Sequence, residues 1–221
     1  MIFIITTILI LLFISYVSFE KSYYKQITNA SFWKVRFNTG LYGEYRIVNE
    51  LQKIPGIHKT LVNLYIPKAK GEGLTEIDIL FIHENGLYVI ESKNYSGWIY
   101  GREKDYKWTQ VFKNGKKFKF YNPVKQNRTH VNALQKLLSN LPTDIFSSLI
   151  IFSDRCTLKS IEVTSQNVQV MKRKNLLSRC KNSTSSYSLP VYTIYTKLQK
   201  YTNVSDQVKN EHIERINEKL S

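Results

Sequence analysis

Two apolar segments with alternating side chains dominate the middle of the chain. They cover residues 76–82 and 87–93 and flank the polar stretch 83–86. Ile, Val, Phe and Tyr prevail in both segments, and a polar connection that contains glycine is typical of a hairpin. The pattern therefore predicts two antiparallel strands. Asp78, Glu91 and Lys93 interrupt them, and charged side chains are costly to bury unless they are paired or used.

The pairing register decides whether the two acids meet. Side chains alternate between the two faces of a strand, so Asp78 shares a face with Ile82, and Glu91 shares a face with Leu87. With a four-residue loop, Ile82 faces Leu87 and Asp78 lies opposite Glu91, with Cβ atoms about 4.5–5.5 Å apart. A two-residue Asn-Gly turn shifts the pairing but keeps both carboxylates on that face, whereas a three-residue loop separates them.

Two neighbouring carboxylates repel, and each raises the pKa of the other unless a cation lies between them. A hard divalent ion such as Mg²⁺ resolves this conflict, because it takes oxygen ligands from one or two carboxylates and retains waters. Lys93 projects into the same site, where it could orient a water nucleophile or stabilise negative charge on a phosphate oxygen. The alternative is an exposed sheet face with a surface ion pair. The apolar Leu80 and Val89 on that face favour the site.

A third acid lies on a predicted helix. Residues 40–51 have helical periodicity, and their apolar stripe consists of Leu41, Tyr45, Val48 and Leu51. Glu44 falls in the middle of this stripe, where a carboxylate is expensive unless it is paired or bound to metal. Alternatively, Glu44 pairs with Arg46 or caps the start of the helix.

A second helix is predicted to start at Asn122 and Pro123, because Asn is a good N-cap and Pro is tolerated in the first turn. Gln126 and His130 are four residues apart and lie one above the other on this helix. Both could face the acidic site, where Gln126 would position a water or a phosphate. For His130 we favour a place at the border of the packed stripe.

Taken in order, these residues resemble the core of the PD-(D/E)xK nucleases, and more narrowly the nuclease-related domain family, NERD. The matching stretches, within residues 39–154, are Gly43-Glu44, 76–78, 86–97, Trp108 and 122–127. A Glu-x-Lys triplet alone is frequent by chance, but the ordered set is specific. The Pro-Asp pair that names the superfamily is absent, since Ile77 precedes Asp78.

The resemblance implies a restriction-endonuclease-like α/β fold and a metal-dependent phosphodiesterase that acts on nucleic acid, with DNA favoured over RNA. It implies Asp78 and Glu91 as ligands of Mg²⁺ or Mn²⁺, and Lys93 as the residue that assists the attacking water. Glu44 would complete the acidic cluster, and Gln126 falls in the family motif. The rival hypothesis is a catalytically inactive module on the same scaffold that binds nucleic acid or a protein partner.

The chain is strongly basic, with 32 Lys and Arg against 17 Asp and Glu, a formal net charge of +15 and a pI near 9.7. This imbalance favours nucleic acid or an anionic membrane surface as a partner. The densest basic segment, 113–121, is predicted as a hairpin tip whose lysines track phosphates while its aromatic residues stack on bases. Its candidate nucleic-acid-binding residues are Lys113, Lys116, Lys117 and Lys119. The favoured alternative is a solvated hairpin with Phe118 and Phe120 in the core.

The first 19 residues carry no charged side chain and are long enough to cross the hydrocarbon layer as one helix. A cleaved signal peptide is the competitor, but a basic start and a small-residue cleavage site are missing. Lysines and arginines follow the span, so the catalytic part is expected in the cytoplasm and the N-terminus outside. Cys156 and Cys180 lack a zinc-ligand spacing and are expected to be free thiols.

The remaining apolar runs predict a mixed sheet flanked by helices, with further strands at 98–100, 108–112 and 148–152. The chain is accordingly divided into a transmembrane helix (1–19), a juxtamembrane linker (20–38), a nuclease-like core (39–155) and a C-terminal extension (156–221). In the extension we expect an exposed loop or helix end at 171–175, a Ser-rich loop at 181–188, and helices at 191–201 and 205–220 that pack on the core.

Overall fold

Alternating apolar residues build two mixed sheets, and amphipathic helices cover the first of them. The computed structural model describes residues 2–181 and 188–202, with the isolated positions 204, 205, 207 and 214. The predicted α/β class is confirmed: two mixed sheets are flanked by helices and preceded by an apolar helix. The predicted loop at 181–188 and helix at 205–220 lie largely outside the described residues.

The helices of the described residues come in two groups along the chain. Four precede the first strand: α1 (Ile2–Glu20), α2 (Tyr23–Thr28), α3 (Phe32–Phe37) and α4 (Thr39–Leu51). Three come later: α5 (Pro123–Leu137), α6 (Leu176–Lys181) and α7 (Val191–Gln199). Single 3-10 turns occur at Thr143–Ile145 and Arg173–Asn175.

The first sheet has the strand order β1-β2-β3-β7-β9, in which β1, β2 and β3 are antiparallel and β3, β7 and β9 are parallel. Its strands are β1 (His58–Pro67), β2 (Leu74–His83), β3 (Gly86–Lys93), β7 (Phe146–Phe152) and β9 (Val168–Lys172). The second sheet has the order β6-β5-β4-β8. Its strands are β4 (Gly97–Arg102), β5 (Lys107–Val111), β6 (Lys117–Tyr121) and β8 (Cys156–Glu162).

The strands predicted at 98–100, 108–112 and 148–152 are confirmed as β4, β5 and β7, except that β5 ends one residue earlier, at Val111. Three strands, β1, β8 and β9, were not predicted. Strands β1 and β9 form the two edges of the first sheet, and β8 is an edge of the second. The prediction of a loop or helix end at 171–175 is wrong for its first two residues. Met171 and Lys172 pair with Ile151 and Phe152 in the parallel ladder, and a 3-10 turn follows.

The first sheet has a hydrophobic core on each face. On one face α5 and α7 pack against the sheet, with Val131, Leu134 and Leu198 buried against Leu80 and Val89. On the other face lie α2, α3, α4 and the end of α1, and the core residues of the sheet there include Ile79, Phe81 and Ile90. The central strand β3 is thus covered on both faces, as expected for a strand with a parallel neighbour.

The segment between α1 and α4 is helical and packed. Ser22 and Ser31 cap α2 and α3 by accepting hydrogen bonds from the backbone N–H groups of Lys25 and Lys34. Tyr24, Phe32 and Val35 are buried in the same cluster as Phe19, at the end of α1. This segment therefore joins α1 to the domain through a shared core.

Helix α1 is exposed along most of its length, and Phe19 is its buried residue. It is long and apolar enough to cross a membrane, with 19 residues. A signal sequence near an N-terminus has the same length and composition.

Candidate active site

The β2–β3 hairpin has the predicted register. Ile82 pairs with Leu87, and the ladder runs to Ile79 and Ile90. The connection is shorter than the four-residue loop we assumed, because His83 and Gly86 also pair and Glu84-Asn85 alone form the turn. The count of pairs is unaffected, so Asp78 and Glu91 occupy the positions one step beyond the last pair.

The side chain of Asp78 replaces a backbone hydrogen-bond acceptor at the point where the β2–β3 ladder ends. The backbone N–H of Ser92 donates a hydrogen bond to Oδ2 of Asp78 at 2.8 Å. A side-chain carboxylate thus satisfies the next donor of β3, and Asp78 lies in the opening between the two strands. Asp78 remains partly exposed, whereas Glu91 is buried.

The neighbouring strand β1 is irregular at the same level. The β1–β2 ladder is continuous except for the Asn63–Asp78 position, and Asn63 has a φ of 51°. Ile77 packs in the same core as Leu80, while Ile79 packs on the opposite face. In a regular strand Ile77 and Ile79 would point to the same face of the sheet. The alternation of side chains along β2 is therefore interrupted at Asp78.

Glu91 and Lys93 form a buried ion pair. Nζ of Lys93 donates to Oε1 of Glu91 at 2.5 Å and to Oε1 of Gln126 at 3.2 Å. Burial acts to raise the pKa of Glu91, but the Lys93 ammonium and His130 outweigh it, and the pKa lies below its usual value. Burial likewise acts against the charge of Lys93, but Glu91 and Asp78 raise the pKa of the lysine above its usual value. Both groups are therefore charged at neutral pH.

His130 belongs to the site, and its predicted place at the border of the packed stripe is wrong. Its ring is buried, with Nε2 3.3 Å from Oε2 of Glu91 and Nδ1 2.7 Å from Oγ1 of Thr75. The contact with Glu91 lacks hydrogen-bond geometry, and both Oε2 of Glu91 and Nε2 of His130 have no hydrogen-bond partner. The spacing of four from Gln126 was the available signal, since it places His130 one helical turn further along the same face.

Glu44 reaches the site from α4. The buried face of this helix is Gly43, Glu44, Ile47, Val48 and Leu51, whereas the predicted stripe residues Leu41 and Tyr45 are only partly buried. Neither predicted alternative holds for Glu44, because its Oε2 accepts a hydrogen bond from Oη of Tyr24 at 3.2 Å. Burial and the charges of Glu76 and Glu91 raise the pKa of Glu44 to about 7, although the bond from Tyr24 acts to lower it.

Gly43 allows α4 to come this close. A Cβ at this position would lie 2.9 Å from Cβ of Asn94 and 3.1 Å from Oγ of Ser92. These residues follow Glu91 directly on β3 and the loop after it. The two residues of the Gly-Glu pair therefore have different roles. Gly43 permits contact with the end of β3, and Glu44 directs its carboxyl group toward the site.

Glu76 is a fourth acid near the site, and it was not among the predicted site residues. Its Oε1 accepts a hydrogen bond from Oη of Tyr65 at 2.6 Å across the β1–β2 ladder. The pKa of Asp78 lies well above its usual value because of burial and the charges of Glu91 and Glu44. Four carboxyl groups therefore act on one another around the end of β3, and Lys93 supplies a positive charge among them.

The motif 122–127 docks α5 onto both sheets. The side-chain oxygen of Asn122 accepts from the N–H of Val124, which confirms the predicted cap, and its Nδ2 donates to the carbonyl groups of Arg102, Glu103 and Asp105. Asn127 donates to the carbonyl of Val89 and to Oγ of Ser148. These contacts hold Gln126 against Lys93.

The candidate nucleic-acid-binding lysines lie apart from this cluster, on the second sheet. Lys113 and Lys116 belong to the β5–β6 connection, Lys117 and Lys119 belong to β6, and all are exposed. Phe118 is 55% exposed, so its predicted burial is wrong. Phe120 is partly buried and packs edge-on against Tyr95, which follows Lys93 in the chain by two residues.

Cys156 is a free, buried thiol, as predicted. The side chain of Cys180 lies outside the part of the chain that the structure describes. Among the residues that it does describe, no group of three or more His, Cys, Asp or Glu side chains is arranged to hold a metal ion.

A mixed α/β scaffold that gathers acids and a lysine at the end of its central strand defines a nuclease-related class of protein. Comparison with known proteins agrees: the model of the nuclease-related domain, NERD, matches residues 39–153. The chain belongs to the NERD family. It is also 32% identical over 187 residues to an uncharacterized protein of Bacillus anthracis, with 82% of this chain and 85% of that protein covered. No solved structure matches the chain.

Proposed function

We propose that the protein is a membrane-anchored, divalent-metal-dependent nuclease that hydrolyses phosphodiester bonds of nucleic acid. The observation that carries this proposal is the cluster around the end of β3. Asp78, Glu91, Glu44 and Glu76 influence one another there, and Lys93 is bonded to Glu91 and Gln126. A fold tolerates such a concentration of like charge when the charges serve a function.

The residues fit a metal of the magnesium type. Oε2 of Glu91 is buried without a hydrogen-bond partner. The pKa of Asp78 is raised by burial, and also because the negative charges of Glu91 and Glu44 around it are not fully balanced by the positive charge of Lys93. Mg²⁺ takes one or two carboxylates and keeps its waters, so Asp78 and Glu91 suffice as protein ligands. A divalent ion at this place, Mg²⁺ or Mn²⁺, would neutralise the two carboxylates and stabilise negative charge on a phosphate oxygen.

The side chains around the carboxylates have separate roles in this proposal. The Lys93 ammonium orients the attacking water or stabilises charge on the phosphate, and Gln126 holds the ammonium in place through its side-chain oxygen. Glu44 completes the acidic cluster from the other face of the sheet. His130, held by Thr75, lies beside the carboxyl group of Glu91, with Nε2 3.3 Å from Oε2.

The surface charge and the N-terminal helix supply the remaining parts of the proposal. The formal charge of +15 attracts nucleic acid, and the exposed lysines of the β5–β6 hairpin are a candidate track for its phosphates. Helix α1 anchors the chain, and the basic residues after it keep the domain in the cytoplasm.

Cleavage assays on the full chain in detergent test the proposal. Wild type should cut single- or double-stranded DNA or RNA when Mg²⁺ or Mn²⁺ is present and not in excess chelator. Asp78→Asn and Lys93→Ala should each lower the rate by roughly a hundredfold or more. Glu72→Gln, which removes an exposed charge from the same β1–β2 hairpin, should leave the rate unchanged. Equal rates in all four proteins would trace the activity to a contaminant and refute the proposal.

A catalytically inactive binding module on the same scaffold is the second candidate. The observation that favours it is the ion pair itself, because Lys93 already neutralises Glu91, and the described residues hold no cluster of three ligands. Calorimetric titration with Mg²⁺ or Mn²⁺ separates the two candidates. Heat of binding that disappears in Asp78→Asn supports the nuclease, and absence of binding in wild type supports the module.

A further inference from the structure

A cavity that the acids of the cluster do not line lies between the end of α1, α3 and α4. Its volume is about 340 Å³. Its apolar lining comes from Phe19, Phe32 and Val35, which belong to the core under α4. Its polar lining includes Ser15, Ser18, Arg36, Tyr42, Arg46 and Lys53. The cavity thus combines an apolar floor with a rim of hydrogen-bond donors.

The rim carries an excess of positive charge. The guanidinium groups of Arg36 and Arg46 lie 5.6 and 5.9 Å from the centre of the Tyr42 ring, and Nη1 of Arg46 donates to Oη of Tyr42 at 3.3 Å. Within the described part of the chain, neither arginine forms an ion pair. The acid of the lining, Glu50, pairs with Lys53 at 2.9 Å. Two guanidinium groups held on one ring are therefore available to an anion.

The cavity opens at the level where the candidate membrane span ends. Ser15 and Ser18 belong to the last turns of α1, and beyond them Phe19 enters the domain core. On α3, the rings of Trp33 and Phe37 stack 5.7 Å apart and are 55% and 77% exposed. Exposed aromatic side chains of this kind are enriched at the interface between hydrocarbon and water.

We infer that this cavity binds the phosphate of an anionic phospholipid at the membrane surface. Guanidinium groups match phosphate oxygens in charge and in hydrogen-bond geometry. The apolar floor would receive the glycerol and the first acyl carbons, and Trp33 and Phe37 would lie among the headgroups. The inference rests on the proposed membrane anchor. A free phosphate offers the same oxygens without the apolar part, so the two sources are distinguishable.

Binding of short-chain lipids to the full chain in nonionic detergent tests the inference. The probes are dioctanoyl phosphatidylglycerol, dioctanoyl phosphatidylcholine and inorganic phosphate, and the readouts are Trp fluorescence and thermal melting. Phosphatidylglycerol should bind saturably and raise the melting temperature. The double variant Arg36→Gln/Arg46→Gln should bind at least about tenfold more weakly. The control Lys21→Gln/Lys34→Gln removes the same charge from exposed positions outside the cavity and should bind as wild type does.

A second variant guards against loss of folding. Arg36→Lys/Arg46→Lys keeps the charge but removes the planar donors, and it should bind with intermediate affinity while melting as wild type does without lipid. The inference is overturned if both glutamine double variants weaken binding equally, if phosphatidylcholine binds as well, or if inorganic phosphate binds as tightly as the lipid. A soluble chain in cell fractionation would refute the anchor but not the cavity, because the short-chain lipids reach the cavity without a bilayer.

Discussion

The carboxyl group of Glu44 is held between a tyrosine and other acids on the buried face of α4. The pKa of about 7 places its proton uptake in the physiological range. In the unfolded chain the same group titrates near the usual value of 4.5. The folded protein therefore binds the proton more tightly, and this contribution to stability is present at low pH and is lost as the pH rises through about 7.

Glu44→Gln is expected to remove this pH dependence. In chelator, the free energy of unfolding of wild type should fall by roughly 3 kcal/mol relative to the variant between about pH 4.5 and pH 7.5. Denaturant unfolding at several pH values measures the difference, and Glu72→Gln serves as the control that follows wild type. A constant difference between wild type and Glu44→Gln across this range would show that Glu44 is not the titrating group.

Gly43 sets the distance between α4 and the end of β3. Gly43→Ala should cost about 1–3 kcal/mol of stability, because the added methyl group meets Asn94 at 2.9 Å and outweighs the better helix propensity of Ala. It should also flatten the pH dependence that Glu44 produces, since α4 has to move away.

Gly40→Ala is the matched control for Gly43→Ala. Its Cβ would meet only the side-chain oxygen of Asn38, at 3.3 Å, and the helix is the same. Thermal melting of both variants, repeated at several pH values, measures the loss of stability and the change in its pH dependence. If Gly43→Ala is as stable as Gly40→Ala, close packing against β3 is not the reason for the glycine.

Among the elements, α5 is docked by its first residues. Asn122→Ala removes the helix cap and leaves three carbonyl groups, one at the end of β4 and two in the β4–β5 connection, without the amide that binds them. A loss of about 2–4 kcal/mol is expected from the cap and these contacts together. Asn132→Ala, an exposed change on the same helix, should be nearly neutral. Urea titrations of the two variants provide the comparison, and similar midpoints would contradict the docking role.

The β5–β6 hairpin is the element that we expect to follow nucleic acid. Lys117→Gln/Lys119→Gln should weaken binding to DNA and lower the slope of log affinity against log salt by up to about 2. Lys70→Gln/Lys136→Gln removes the same charge from another exposed region and should leave the slope unchanged. Fluorescence anisotropy with labelled DNA at several salt concentrations measures both. Equal slopes in the two double variants would indicate diffuse attraction by the whole surface.

Local pattern predicted most of the elements that apolar periodicity or a helix cap marks, although the apolar run of β1 was not identified. The hairpin register followed from the two-residue period of β2 and β3, and the start of α5 followed from the Asn-Pro cap. Strands β8 and β9 were missed because their side chains are mostly exposed or half-buried, so no apolar alternation marks them. Pairing with β4 and β7 forms them, and that information lies elsewhere in the chain.

In the candidate site, too, some residues could be predicted from local pattern and others could not. Asp78, Glu91, Lys93, Glu44 and Gln126 were recognisable because each is polar within an apolar pattern or a family motif. The partners that orient them were not: Tyr24 lies 20 residues from Glu44, and Thr75 lies 55 residues from His130. Such contacts depend on how the helices pack against the sheet. The local periodicity of apolar residues contains no information about this packing.

For the whole molecule, α1 would decide where the domain works if it is the proposed membrane anchor. Ile10→Lys/Leu11→Lys places two charges in the middle of the apolar span, at a cost of about 2.5–3.5 kcal/mol each in a membrane. Both residues are exposed, at 59% and 61%, so the domain should melt unchanged while the chain leaves the membrane fraction. Ile10→Leu/Leu11→Ile is the control. A wild-type chain found soluble and shortened by its first residues would instead identify a cleaved signal sequence.

The parallel pairing of β3 with β7 has a consequence for synthesis on the ribosome. Strand β3 carries Glu91 and Lys93, but its neighbour β7 begins only at Phe146, and Gln126 and His130 lie between them in the chain. Helix α1 emerges first and can engage a membrane before any of these residues has been made. If α1 is the proposed anchor, the acidic site assembles only after the nascent chain is attached. If the protein also cuts nucleic acid, as proposed, its first cut is then made at the membrane.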